Sequence, residues 1–250
     1  MFGEVSLNLS PFSMFLSLAA VFLAALVRGY AGFGFSAIIM VCLVPLMPVS
    51  QIVPISIALE VVASSAQARR ILPDINRQYL AVLLVASLIG TPVGVLLLSQ
   101  VSERPLQLLV YGIIFASTLV LLFSKPKPVS FSFALFFLAG FVAGAVNGAT
   151  ALSGLVLALF FTTTKVSSTT MRATMIAYLF FTDIITGGFL LLADRYDTQT
   201  ILYVLAAIPV LLAGIFLGTR QFARTPSETF KTLVMWLLLI FCILGMMRLL

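Results

Sequence analysis

Ten uninterrupted apolar stretches run through the chain, at about 12–28, 33–48, 50–68, 78–99, 105–123, 131–147, 152–163, 171–192, 199–220 and 229–250. Several reach the ~20 residues that a tilted helix needs to cross a bilayer, whereas the stretch at 152–163 is short. Their apolar character is continuous rather than alternating. In lipid such a backbone must satisfy its own hydrogen bonds, so helices are expected and a barrel is not. Composition closes off a soluble fold: 62% of residues are hydrophobic and 9% charged, against ~25% charged in soluble domains. A soluble domain of this length must still cover its outside with polar groups. The expected fold class is an all-α polytopic membrane protein.

The residues that are missing remove whole classes of chemistry. There is no His, which excludes Ser-His-Asp triads, His-ligated zinc or haem, and imidazole proton relays. Cys42 and Cys242 lie in apolar stretches without metal or redox spacing and read as small apolar residues. No cofactor and no metal is expected, and an enzyme is disfavoured. The net charge of +6 reads as cations retained at a cytoplasmic face, not as a nucleic-acid footprint. Residues 1–11 carry Glu4 and no Lys or Arg, so the first apolar stretch is expected to be retained rather than cleaved as a signal peptide.

Charge also orients the chain. Alternate connections hold Arg28; Arg69, Arg70 and Arg77; Lys125 and Lys127; Lys165 and Arg172; and Arg220, Arg224 and Lys231, eleven of the 14 basic residues. The other connections and both termini hold Arg104, Arg195 and Arg248 beside Glu4, Glu103, Asp194 and Asp197. The positive-inside rule makes the first set cytoplasmic and puts both termini outside. The connector at 124–130, containing Ser124-Lys125-Pro126-Lys127-Pro128, divides an N-terminal repeat (1–123) from a C-terminal repeat (131–250), each of about five apolar segments. Five is odd, so equivalent connections fall on opposite sides, as the basic 69–77 and acidic 194–197 connections do. Inverted-topology repeats of this kind are a signature of secondary transporters, which bind substrate where the halves meet.

Each repeat has a break rich in small residues: Arg28-Gly29-Tyr30-Ala31-Gly32-Phe33-Gly34-Phe35-Ser36, and Asn147-Gly148-Ala149-Thr150-Ala151-Leu152-Ser153-Gly154. Non-helical backbone at membrane depth is tolerated only in protein or beside a cavity, and the helix that follows presents free N–H groups and a positive dipole end. That environment suits an anion, with donors from Gly32, Gly34 and Ser36 on one side and Thr150, Ser153 and Gly154 on the other. The first two segments of each repeat either both span or form re-entrant hairpins. In the first case Arg28 is a loop charge. In the second it sits at a tip near the midplane, where its fork of N–H groups can grip an oxyanion and Asn147 supplies a neutral donor opposite. Glu60 and Asp183 fall in the middle of two apolar stretches at equivalent places. Intramembrane acids carry protons or coordinate ions, and the alternative for this pair is a salt bridge with Arg28 or Arg172 or a packing role. Gly90-x-x-x-Gly94 and Gly214-x-x-x-Gly218 read as faces for close helix contact. Pro45, Pro48, Pro54, Pro92 and Pro209 read as kinks or helix ends.

With these residues the chain resembles the TauE/SafE family of sulfite and organosulfonate exporters from about Phe15 to Leu250. The likeness rests on the 28–36 segment, on Gly90-Thr91-Pro92-Val93-Gly94, on the duplication and on the size. The resemblance implies a transporter of the bacterial inner membrane that moves sulfite or a related sulfur oxyanion or organosulfonate, coupled to protons. A related thiosulfate-uptake branch carries pathway cysteines, which are not evident here. The expected partners are membrane lipid and the small anion, not nucleic acid, with a homodimer left open. A passive anion channel and a membrane scaffold subunit stand as alternatives.

Overall fold

The computed structural model describes residues 10–123, 132–164, 166–222 and 227–249. The expected connector at 124–130, together with Glu4, Lys165 and Arg224, lies outside them. Each apolar stretch yields one helix: α1 (Pro11–Ala31), α2 (Phe35–Leu43), α3 (Val49–Ile71), α4 (Arg77–Gln100), α5 (Glu103–Phe123), α6 (Phe133–Thr150), α7 (Ser153–Thr162), α8 (Ser168–Leu192), α9 (Thr198–Phe222) and α10 (Ser227–Leu249). A 3-10 turn at Leu72–Asp74 joins α3 to α4. Among the described residues seven helices, α1, α3, α4, α5, α6, α8 and α9, are long and apolar enough to cross a membrane.

Local chemistry sets several helix starts. Ser10, Asn76 and Ser167 each accept the N–H three residues on, at 3.1 Å, and Pro11 occupies the first position of α1. Pro48 caps α3 in extended backbone, while Pro54, Pro92 and Pro209 sit inside helices. The apolar stretch at 33–48 does not become one long helix. Its helical part has nine residues, about 14 Å of rise, less than half of a hydrocarbon core of ~30 Å; a turn with Pro45 and Pro48 fills the rest. α7 is equally short, with 10 residues.

Close packing is concentrated in two helix pairs, α4 with α6 and α1 with α9. Both expected glycine motifs are at these contacts. A Cβ on Gly90 or Gly94 would lie 2.1 Å from Phe141 O or 2.0 Å from Ala145 O, and one on Gly218 2.1 Å from Leu26 O. Small residues let the backbones approach where lipid offers no hydrophobic drive for association.

These contacts also fix directions. Gly214 faces Phe22 and Gly218 faces Leu26, so α1 is parallel to α9; Gly140 faces Leu83 and Gly144 faces Ser87, so α6 is parallel to α4. α4 runs along α8, with Asn76 bonded to Thr174 and Ser87 beside Thr182. α8 in turn opposes α3, with Gly187 near Ile57 and Ile176 packed with Ile71. The later residues of α3, Ala66 and Gln67, lie against the later residues of α9, Leu212 to Thr219, so α1 and α6 point in opposite directions. After each break the chain doubles back. The end of α2 returns to Leu16, Ala19 and Ala20 of α1, and Phe160 and Phe161 of α7 pack edge-to-face with Phe136 near the start of α6.

The outer faces carry Val85, Leu88, Leu96, Leu202, Leu205 and Phe216 in the open. Lipid is the solvent in which such a surface is stable, and the chain is an integral membrane protein.

Candidate functional site

α1 and α6 end alike. In α1 the residue after the helix is Gly32 at φ +83°, and its N–H returns to Arg28 O at 2.8 Å. In α6 it is Ala151 at φ +58°, with its N–H on Asn147 O at 2.8 Å. Left-handed caps of this kind stop a helix and free the next residues to turn. The short helices α2 and α7 then begin without a side-chain cap, so their first N–H groups aim at the breaks. The two breaks meet: a Cβ on Gly154 would lie 3.5 Å from Phe33 Cβ.

Arg28 belongs to the last turn of α1 and is 0% exposed, which removes the loop-charge alternative and takes it out of the connections used to orient the chain. One guanidinium nitrogen, Nη1, donates to Gly32 O at 2.6 Å. The other, Nη2, donates to Ser64 Oγ at 2.7 Å and stands 3.0 Å from Glu60 Oε2. The second carboxylate oxygen, Oε1, accepts from Ser36 Oγ at 3.0 Å, and Ser36 Oγ accepts from Ser56 Oγ at 3.0 Å. The salt-bridge alternative for Glu60 is thus realised, with Arg28 as its partner. A buried ion pair needs such further bonds to offset desolvation.

The second break builds the same pattern without a cation. Asn147 Nδ2 donates to Asp183 Oδ1 at 2.9 Å and to Thr186 Oγ1 at 3.0 Å, and Asn147 Oδ1 accepts from Ser153 Oγ at 2.7 Å. Asp183 Oδ2 is buried and makes no hydrogen bond. α3 and α8 pack face to face here. One cation and two carboxyl groups therefore share a single interior, level with the middle of α3 and α8.

The remaining expected site residues have other places. The N–H of Gly32 is spent on Arg28 O, so it is not a free donor for an anion; the contribution of Gly32 is its positive φ and its carbonyl. Gly34, at φ +92°, starts α2. Thr150 turns its hydroxyl back to Val146 O at 2.8 Å and stays outside the network. Gly154 packs between Phe33 and Leu179. Ser64, Ser56 and Thr186 belong to the network without having been expected; each is a polar residue three or four positions from Glu60 or Asp183 on the same helix face. Arg172 also reaches the first break, donating from Nη2 to Gly29 O at 2.9 Å. Among the described residues no group of three His, Cys, Asp or Glu could hold a metal.

Charge held at the centre of a lipid-embedded bundle, between two interrupted helices, is the organisation of a membrane transporter. The sequence profile of the family Sulfite exporter TauE/SafE matches residues 17–245, and the chain belongs to that family. Membership makes it a membrane transporter of the sulfite-exporter type, with a small anion as its cargo. No curated relative and no solved structure matches the chain.

Proposed function

We infer that this chain exports sulfite or a related small sulfur oxyanion or organosulfonate across the bacterial inner membrane, by proton-coupled alternating access of two inverted repeats. The observation that carries the reading is the buried interior in which Arg28 already holds a carboxylate, Glu60, at 3.0 Å. A guanidinium engaged by an internal anion can exchange it for an external one of similar geometry. Arg28 and Asn147 would contact the anion, with first-turn N–H groups of α2 near Ser36 and of α7 near Ser153 completing its shell. Gly32, Gly34 and Gly154 keep the backbone close enough for that, and Thr150 is left with a packing role.

Coupling follows from electrostatics. Substrate and the Glu60 carboxylate compete for one guanidinium, so a proton on Glu60 releases Arg28 and favours anion binding. Asp183, facing the same charges through Asn147, is the second proton-exchanging group. Proton and anion thus occupy the centre together, and export runs when cytoplasmic anion outweighs the opposing gradient. The opposite directions of α1 and α6 and the matching pairs α1 with α9 and α6 with α4 support two inverted repeats, 1–123 and 131–250, joined by the cytoplasmic connector 124–130. The doubling back of α2 and α7 supports re-entrant hairpins, and the charge bias of the connections supports termini on the outer side. A homodimer is compatible with the open apolar flanks.

The test is thermal stabilisation of the purified protein by sulfite, sulfate, thiosulfate, sulfoacetate, taurine and chloride, with efflux and internal pH followed in proteoliposomes. A ligand that binds only the folded state raises its stability by mass action. The expected result is stabilisation by sulfite or one related anion that is absent in Arg28→Ala, and efflux accompanied by proton movement. Equal efflux and equal pH dependence in Arg28→Ala and Glu60→Gln would overturn the assignment.

A further inference from the structure

A second polar place lies beside the first, and the network around Arg28 does not use it. Glu60, Ser64 and Gln67 stand at i, i+4 and i+7 on one face of α3, so Gln67 is about 4.5 Å further along the axis than Ser64. Gln67 is 3% exposed, yet neither its amide nitrogen nor its amide oxygen has a hydrogen-bond partner. It lines a recess of about 330 Å³ between α3 and α9, together with Ala66, Ile215 and Thr219 and with Leu212 and Phe216 at its outer edge. A water molecule occupies about 30 Å³ of liquid, so there is room for a small oxyanion with part of its hydration shell. A lipid chain there would leave the carboxamide unsatisfied, which hydrocarbon does not tolerate.

We propose that this cavity is the loading vestibule of the transporter: it takes the small oxyanion from the basic face of the membrane and passes it along α3, by Gln67 and Ser64, to Arg28. The inference rests on the anion-transport reading. Among the described residues no carboxylate lines the cavity, and Gln67 Nε2 is a donor without a partner, which favours an anion over a metal cation. Positive charge lies next to it. Arg172 Nη2 and Thr219 Oγ1 both donate to Gly29 O, at 2.9 and 3.3 Å, and Gly29 adjoins Arg28 in the chain. The cavity also lies toward the C-terminal ends of α3 and α9, where Arg220 follows Thr219 in the chain. Cations around a recess of low dielectric raise the local concentration of anions.

The experiment uses the full chain in proteoliposomes, with Gln67→Cys in a Cys42→Ser, Cys242→Ser background and Thr91→Cys as a fully buried reference. Two thiol reagents of equal size are compared without sulfite, an anionic sulfonatoethyl and a cationic trimethylammonioethyl methanethiosulfonate. Gln67→Cys should react about tenfold faster than Thr91→Cys, from one side only and faster with the anionic reagent, because thiol reactivity follows access and local charge. In parallel, Gln67→Leu and then Gln67→Glu should raise the sulfite KM in that order, by about fivefold or more for Glu, with kcat held, as expected for lost ground-state binding. Sulfite-induced thermal stabilisation, which reports the Arg28 site, should persist in both variants. Labelling no faster than in Thr91→Cys, or a KM unchanged in both variants, overturns the vestibule even where wild-type sulfite efflux is intact. A wild type that neither binds nor moves sulfite, but whose Gln67→Cys variant prefers the anionic reagent, overturns the substrate assignment and leaves the vestibule standing.

Discussion

The two breaks share a backbone and differ in charge. Both end a helix with a left-handed residue whose N–H bonds the carbonyl four positions back, but one uses Gly32 and the other Ala151. A side chain in that conformation costs about 1–2 kcal/mol, so the second break is maintained against a penalty the first avoids. Behind the caps stand Arg28 with Glu60 and Ser64, and Asn147 with Asp183 and Thr186. A geometry can be repeated while its electrostatics are not. Among the described residues the guanidinium paired with a carboxylate, Arg28, is in the first half, and Asp183, whose carboxyl contacts an amide instead, is in the second. On the proposed mechanism the halves divide the labour, the first gripping the anion and the second exchanging a proton.

Removing the residue at each cap is the strongest way to break that division. Arg28→Ala leaves Glu60 buried without its cation, and breaking a buried pair costs about 3–5 kcal/mol. Asn147→Ala removes hydrogen bonds but no charge, and about 1–3 kcal/mol is expected from the groups left unpaired. Thermal unfolding in detergent compares the two, and sulfite efflux should be lost in the first and reduced in the second. Equal losses would mean that charge does not distinguish the halves. Glu60→Gln and Asp183→Asn come next. Glu60→Gln removes the carboxylate that competes for Arg28, so anion stabilisation should rise. Asp183→Asn should leave anion stabilisation in place and reduce proton movement per anion, read as the internal pH change during efflux.

A smaller effect tests the packing that holds each break. Gly218→Ala and Gly94→Ala both drive a methyl group into a backbone carbonyl, Leu26 O at 2.1 Å and Ala145 O at 2.0 Å. Overpacking of this kind costs about 1–3 kcal/mol. Near-equal falls in melting temperature are expected, because the two helix pairs are built alike. A much larger fall for one would locate the stiffer half.

Most of this architecture is legible in the amino-acid sequence, because lipid leaves a backbone few choices. Ten apolar stretches become ten helices, and the two glycine motifs lie where backbones touch. The pairing of Arg28 with Glu60 and of Asn147 with Asp183 is half legible. The residues stand out as polar in apolar stretches, but which acid meets which break depends on the helix arrangement. Ser64, Thr186 and Gln67 are not legible in that way. Serine, threonine and glutamine are unremarkable in a membrane helix until burial shows what each one faces. The short α2 is half legible for a related reason: hydropathy registers Val44 to Met47 as apolar, and it is Pro45 and Pro48, read as kinks or helix ends, that mark where the chain turns.

The finest distinction between the halves lies in two serines. Ser36 donates to a carboxylate, Glu60 Oε1, at 3.0 Å, and Ser153 donates to a neutral amide, Asn147 Oδ1, at 2.7 Å. A hydrogen bond to a charged group is worth about 1.5–3 kcal/mol, whereas neutral ones between membrane helices average about 0.6 kcal/mol. Ser36→Ala should therefore destabilise more than Ser153→Ala, by about 1 kcal/mol or more, despite its longer bond. Melting temperatures of both variants and the wild type measure the difference. A loss in Ser153→Ala as large as that in Ser36→Ala would mean that the charge of the Arg28–Glu60 pair does not strengthen the hydrogen bonds around it, and that the two breaks are held by equivalent neutral contacts.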